Sequence, residues 1–198
     1  MYDKRVLITN NCTQKGNDMD FISNWDINVL LFIQDNLRTE FLTPIMRIIT
    51  SLGYKGILWI ALVLILLCFK RTRKAAFVAA VSLLLTFIVV NLIIKPVVAR
   101  PRPYDVYPAL IPLVDKLSDF SFPSGHTANG FAVALVLFWM LPKKFSVWPV
   151  VLNTLIAWTR LYVGVHYPTD VIVGFLISLV IAGVVWYLFE GRKQKNRR

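Results

Sequence analysis

Between Ala75 and Ile94 the chain runs for twenty residues without one ionisable side chain. As a helix this run is about 30 Å long, the thickness of a bilayer's hydrocarbon core. Four more apolar runs accompany it, at about Lys55 to Phe69, Thr127 to Leu141, Phe145 to Val165 and Val171 to Phe189. A soluble domain has no interior large enough for so much apolar helix, and the composition agrees, with 57% of the 198 residues hydrophobic. The pattern predicts an all-α fold, a polytopic transmembrane helical bundle with five clear spans. Upstream, Ile27 to Ile33 and Phe41 to Leu52 are apolar but broken by Arg38, Glu40, Pro44 and Arg47. These are expected as interfacial or partly inserted helices, or together as a sixth span. The expected organisation is a polar tail over 1–24, those helices over 25–53, a transmembrane domain over 54–190 and a basic tail over 191–198.

The net charge of +11 is carried mostly at the ends of apolar runs, where cations meet lipid headgroups. The expected partner is therefore the bilayer and not nucleic acid. The turn Lys70-Arg71-Thr72-Arg73-Lys74, the pair Lys143 and Lys144, and the tail from Arg192 share one face of the predicted bundle. Positive charge marks that face, and with it the C-terminus, as cytoplasmic. The first twenty-odd residues contain no apolar signal-peptide core, so no cleaved leader is expected. Cys12 and Cys68 suggest neither a disulfide nor a metal site, and Asn11-Cys12-Thr13 matches a glycosylation triplet of a kind that arises often by chance.

Lys95, Arg100, Arg102 and Arg160 then fall on the outer face, where topology disfavours them. Three polar clusters gather there. Lys95 to Pro103 closes the second span, and its prolines are expected to end the helix and stiffen the chain, so that Lys95 and Arg102 can point at one place. Snorkelling to headgroups explains the same residues when they are taken alone. Pro123-Ser124-Gly125-His126 opens the third span, with Ser124 as N-cap and the Gly125 and His126 amides at the positive end of a helix. Thr159 to Asp170 links the last two spans, with His166 just ahead of a helix and Asp170 in its first turn. That spacing lets the carboxylate take a proton from one imidazole nitrogen and fix the tautomer of the other. Both histidines of the chain lie in these clusters. Cations, two imidazoles and a helix start on one face suit a tetrahedral phosphate.

These clusters resemble the three ordered motifs of the type 2 phosphatidic acid phosphatase family of membrane lipid phosphatases. Lys-x6-Arg-Pro reads here as Lys95 to Arg102-Pro103, Pro-Ser-Gly-His as residues 123–126, and Ser-Arg-x5-His-x3-Asp as Thr159-Arg160, His166 and Asp170. The one departure is Thr159 for serine, which keeps the hydroxyl and is expected to alter packing near the phosphate without loss of activity. The resemblance implies that His166 attacks phosphorus, Asp170 orients it, and His126 protonates the leaving oxygen. It further implies that Lys95, Arg102, Ser124, Gly125 and Arg160 bind the phosphate. No metal or other cofactor is expected, since fixed cations supply the charge that phosphoryl transfer needs; Asp105, Asp115 and Asp119 lack ligand-like spacing. The 105–121 loop is expected to roof the pocket.

A site at the outer membrane–water boundary implies a lipid whose phosphate sits at headgroup level. Small size and an outward site resemble the bacterial carrier-lipid phosphatases, which favours undecaprenyl pyrophosphate; phosphatidic acid and phosphatidylglycerophosphate are the alternatives. The implied location is the plasma membrane. The rival of another class is a non-catalytic lipid-binding or transport protein. Transport favours ionisable groups at span centres, and the run from Phe77 to Ile94 has none.

Overall fold

The structure is a computed structural model that describes residues 17–191, so Cys12, its glycosylation triplet and the basic tail beyond Gly191 lie outside the described residues. Helices are its only regular structure among those residues. The elements are α1 (Asn17–Asn36), α2 (Leu42–Leu52), α3 (Ile57–Cys68), α4 (Arg73–Phe87), a π-helical stretch (Ile88–Ile94), α5 (Lys95–Val98), α6 (Pro103–Val106), α7 (Gly125–Met140), α8 (Lys143–Tyr162) and α9 (Pro168–Trp186). The central helix is α7, which packs against α4, α8 and α9. Its buried face is built of small and branched residues, including Ala128, Ala132, Val133, Ala134 and Val136. Such residues let neighbouring backbones come close where lipid, being equally apolar, gives helices no hydrophobic reason to associate. The outer surfaces carry exposed Leu64, Leu84, Leu92, Val180 and Val184. A helix that is apolar all round is at home in hydrocarbon.

By length and composition two described helical stretches suffice to cross a membrane: Arg73–Val106, 34 residues, and Pro168–Gly191, 24 residues. The pair α2 and α3 makes a third if its 53° bend is one broken span. The five expected spans are thus not all met by this criterion. α7 is helical but only 16 residues long. α8 reaches 20 residues but is interrupted by Pro149, Asn153, Thr154 and Arg160.

The end of the second apolar run also departs from expectation. Pro96 does not stop the helix, because the backbone widens to π-helical bonding over Ile88–Ile94 before it. Lys95 donates to the Val90 carbonyl, five residues back, and the register shift accommodates a residue with no N–H of its own. The helix ends instead at Ala99, whose φ of 48° is left-handed. A non-glycine residue there costs about 1 kcal/mol, and the reversal separates Lys95 from the extended segment carrying Arg100 and Arg102.

One end of the bundle holds the positive turns. Lys74 pairs with Glu190 there, and the Trp139 and Trp186 rings meet at 5.9 Å. At the other end, Leu30 and Ile33 of α1 pack with Tyr104, Leu110, Tyr162 and Val165. Arg38 clamps this end, donating through Nε to the Tyr162 carbonyl at 2.9 Å and through Nη1 to the Ile111 carbonyl at 2.6 Å. Gln34 receives the Ile111 N–H at 2.9 Å. The 107–121 loop is thereby fastened over α1. Meanwhile α2 turns Phe41, Ile45, Ile48 and Leu52 outward, at the helical spacing of a lipid-facing stripe.

Candidate active site

The N-terminus of α7 is set by Ser124, an extended residue whose hydroxyl accepts from the Thr127 N–H at 3.5 Å and from the Thr127 hydroxyl at 3.0 Å. Its own N–H donates to the Asp170 carbonyl at 3.0 Å, which ties the start of α7 to the start of α9. Gly125 and His126 form the first turn of α7, where backbone N–H groups have no intrahelical acceptor. The His126 ring lies over Gly53, at the break between α2 and α3. A Cβ at Gly53 would stand 2.6 Å from His126 Cδ2, so only glycine leaves the ring its place.

The Arg160–Asp170 segment turns at Gly164, whose φ of 77° is left-handed and natural only to glycine. This turn delivers His166 into the interior, where it is 1% exposed, with Nδ1 3.3 Å from Asp170 Oδ2. Asp170 sits in the first turn of α9, and the same oxygen accepts the Tyr167 N–H at 3.0 Å and the Ser121 hydroxyl. Burial, and then the fields of Arg102, Arg160 and Lys95, hold the His166 imidazole well below its ordinary pKa. The lowered pKa favours the neutral imidazole, whose free nitrogen carries a lone pair.

Lys95 and Arg102, separate in sequence and each less than a tenth exposed, converge on one carboxylate. Lys95 Nζ lies 2.5 Å from Asp119 Oδ2, and Arg102 Nη2 lies 2.5 Å from Asp119 Oδ1. Arg102 also donates through Nη1 to the Val165 carbonyl at 2.7 Å, next to His166. Burial opposes the Asp119 charge, yet the hydrogen bond from Lys95 and the fields of Lys95 and Arg102 hold its pKa down at about 2. Arg160 is 3% exposed and gives Nη1 to the Thr50 hydroxyl at 2.7 Å. Among the described residues its buried Nε has no hydrogen-bond partner. A buried N–H left unpaired costs about 1–3 kcal/mol, and an anion among these cations would satisfy it.

Of the residues singled out in the sequence, Lys95 and Arg102 thus meet at Asp119, Arg102 reaches the carbonyl next to His166, His166 meets Asp170, and Ser124 is bonded to the Asp170 carbonyl. The Thr159 hydroxyl, the one departure from the motif, donates at 2.6 Å to the Ile156 carbonyl of its own helix. Five polar residues that sequence reasoning left without a role belong to the same neighbourhood: Asp26, Thr50, Arg100, Asp119 and Ser121. Arg100 does not snorkel. It bonds Asp170 Oδ1 and Asp26 Oδ2, both at 2.7 Å. Asp26 carried no distinct signal, being one of four acids in α1 with Asp18, Asp20 and Asp35. Asp119 carried none beyond its place four residues before Pro123.

An undecaprenyl-diphosphatase of Sulfolobus acidocaldarius is 34% identical over 156 residues, 78% of this chain and 75% of the relative. The crystal structure of Aquifex aeolicus LpxE superposes with a TM-score of 0.72 at 27% identity, covering 81% of this chain and 94% of that one. A transmembrane PAP2 type phosphatidylglycerolphosphate phosphatase from Bacillus subtilis superposes with a TM-score of 0.68 at 25% identity, covering 96% and 90%. Residues 75–194, which hold all three motifs, match the family model described as PAP2 superfamily, and the chain belongs to that superfamily.

Proposed function

We propose that this PAP2 enzyme hydrolyses a lipid (di)phosphate at the extracytoplasmic face of the plasma membrane, with undecaprenyl pyrophosphate as its substrate. The observation that carries the reading is the convergence of buried Lys95 and Arg102 on one carboxylate, beside the unpartnered Nε of Arg160. These groups hold an anion next to a neutral imidazole. Five of the helices act as spans in this reading, α7 and α8 being carried across by their packed neighbours. The turns at Lys70–Lys74 and Lys143–Lys144 then face the cytoplasm, together with the C-terminus.

In the proposed reaction the phosphoryl group lies among Lys95, Arg102 and Arg160, with oxygens directed at Ser124 and the Gly125 N–H. His166 Nε2 forms a bond to phosphorus while Asp170 holds the proton on Nδ1. The bond to the leaving oxygen breaks, and His126 gives that oxygen a proton. Water then attacks the phosphohistidine, losing a proton to His126, and inorganic phosphate leaves. Charge is balanced by side chains throughout, so the step needs no metal ion.

The substrate choice rests on the resemblance to carrier-lipid phosphatases and on the relative named undecaprenyl-diphosphatase. The test is phosphate release in EDTA from undecaprenyl pyrophosphate, phosphatidic acid and phosphatidylglycerophosphate side by side. The diphosphate is expected to turn over fastest, with inhibition by vanadate. Faster release from either glycerolipid would transfer the assignment to that class. No phosphate from any of the three would favour a non-catalytic lipid-binding or transport protein. Hydrolysis of a short-chain lipid phosphate added outside intact cells tests the side of the membrane.

Substrate phosphate must take Lys95 and Arg102 from Asp119. Because the Asp119 pKa is held at about 2, this carboxylate stays charged at every pH where the enzyme works, and mild acid does not relieve the competition. Asp119→Asn is therefore expected to lower KM, and the inhibition constant of inorganic phosphate, by about two- to fivefold, the scale of one half-exposed ion pair. A raised KM would instead show that Asp119 braces the two cations for substrate.

A further inference from the structure

Arg100 lies outside the set of groups that face the proposed phosphate. Its guanidinium is stacked 3.7 Å over the Tyr167 ring, and its nitrogens bond residues of α1 and the start of α9. Nη1 donates to Asp170 Oδ1 at 2.7 Å and to the Thr169 hydroxyl at 2.8 Å. Nη2 donates to Asp26 Oδ2 at 2.7 Å. Asp26, from the middle of α1, also accepts the Thr169 N–H at 3.0 Å and the Thr169 hydroxyl at 2.6 Å. Both carboxylates are fully buried. One cation therefore serves two carboxylates, and one of them orients the histidine proposed as nucleophile.

We propose that Arg100, anchored by Asp26, is a positioning residue for the nucleophile: it fixes the Asp170 carboxylate so that Oδ2 is presented to His166 Nδ1. This rests on the phosphohistidine reading above. The division of labour on Asp170 supports it. Oδ1 is taken by Arg100, while Oδ2 receives His166, Ser121 and the Tyr167 N–H. With Oδ1 held, the carboxylate cannot rotate away from the imidazole. The charged and titratable groups facing Asp170 are Arg100, Asp26 behind it, and His166 and Tyr167 from its own connection; Ser121 adds only a neutral hydroxyl. Arg100 is the sole cation among the groups bonded to Asp170 in the described residues. Without it, two buried carboxylates repel and one takes up a proton near neutral pH. A protonated Asp170 no longer accepts the His166 proton. This gives α1, which carries none of the three motifs, a part in catalysis.

The structural alternative is that the cluster merely pins α1 to α9. The two readings differ in the sign of a second substitution. Arg100→Gln leaves two carboxylates and no cation. Adding Asp26→Asn removes the competing carboxylate and restores the cluster's original charge of one negative unit. Full-length Arg100→Gln and Asp26→Asn/Arg100→Gln are to be purified in detergent, with wild type and His166→Ala alongside. Lipid phosphate turnover is measured from pH 6 to 9, together with thermal unfolding. Arg100→Gln is expected to lower kcat at pH 7 by about 10- to 100-fold with KM within twofold, and to regain part of the loss as pH rises. The double variant is expected to exceed Arg100→Gln at pH 7 by about fivefold or more. A double variant slower than the single one, or a loss that appears in KM or is independent of pH, overturns the positioning role. If Arg100→Gln does not fold, the double variant alone decides: a folded protein with kcat within tenfold of wild type supports the proposal, and one as inert as His166→Ala refutes it. If neither folds, Arg100 is structural and the proposal falls. Absence of turnover in wild type would overturn the phosphatase reading itself, separately from any result on Arg100.

Discussion

Replacing His166 with alanine is expected to reduce phosphate release by about 10⁴-fold or more, the scale seen when a covalent nucleophile is deleted. No neighbouring side chain can substitute. His126 belongs to a different helix and is fixed against Gly53, and Lys95 is engaged with Asp119. The fold should tolerate the change, because the turn that delivers His166 is made by backbone bonds from Val163 to Thr159 at 2.8 Å and from Val165 to Arg160 at 3.2 Å. Two measurements check the role. Acid-quenched reactions with radiolabelled substrate should show an acid-labile phosphoprotein in wild type and none in the variant, and steady-state turnover should vanish with it. Near-normal turnover by a folded His166→Ala protein would remove the phosphohistidine from the mechanism.

The second large effect is expected at His126, and it should depend on the substrate. General acid catalysis is worth about 10²–10⁴-fold, so His126→Ala should lose that much on a lipid whose leaving oxygen is strongly basic. With an aryl phosphate, whose leaving group needs no proton, the deficit should shrink to about tenfold or less for the first step. A deficit equal on both substrates would mean that His126 binds the phosphate and does not protonate the leaving group. Gly53→Ala provides a comparison that keeps the imidazole but moves it, since a Cβ there would stand 2.6 Å from the ring.

Much of the site was legible because its residues come in short, spaced groups. Ser124 as N-cap, Asp170 in the first turn of α9 and the bond between His166 and Asp170 follow from local geometry, which depends on residues within four positions of one another. The all-helical architecture follows from apolar runs in the same way. The groups that join these pieces were not legible. Asp119 meets Lys95 from 24 positions away, Arg100 meets Asp26 from 74, and Arg160 meets Thr50 from 110. No periodicity or motif encodes such pairings. Pro96 misled for a related reason, since the π-helical widening that absorbs it spreads over the whole stretch from Ile88 to Ile94.

The sequence by itself determined that this chain is a membrane helical protein carrying three phosphate-type motifs, because hydropathy, helix capping and short-range spacing are properties of neighbouring residues. Only the tertiary structure decided which charges neutralise which. A cation withdrawn from water requires a counter-charge wherever the fold can supply one, and here it supplies buried Asp26 from α1 for part-buried Arg100 and half-exposed Asp119 from the loop for buried Lys95 and Arg102. The first fifty residues, silent as sequence, thereby enter the site through Asp26 and Thr50.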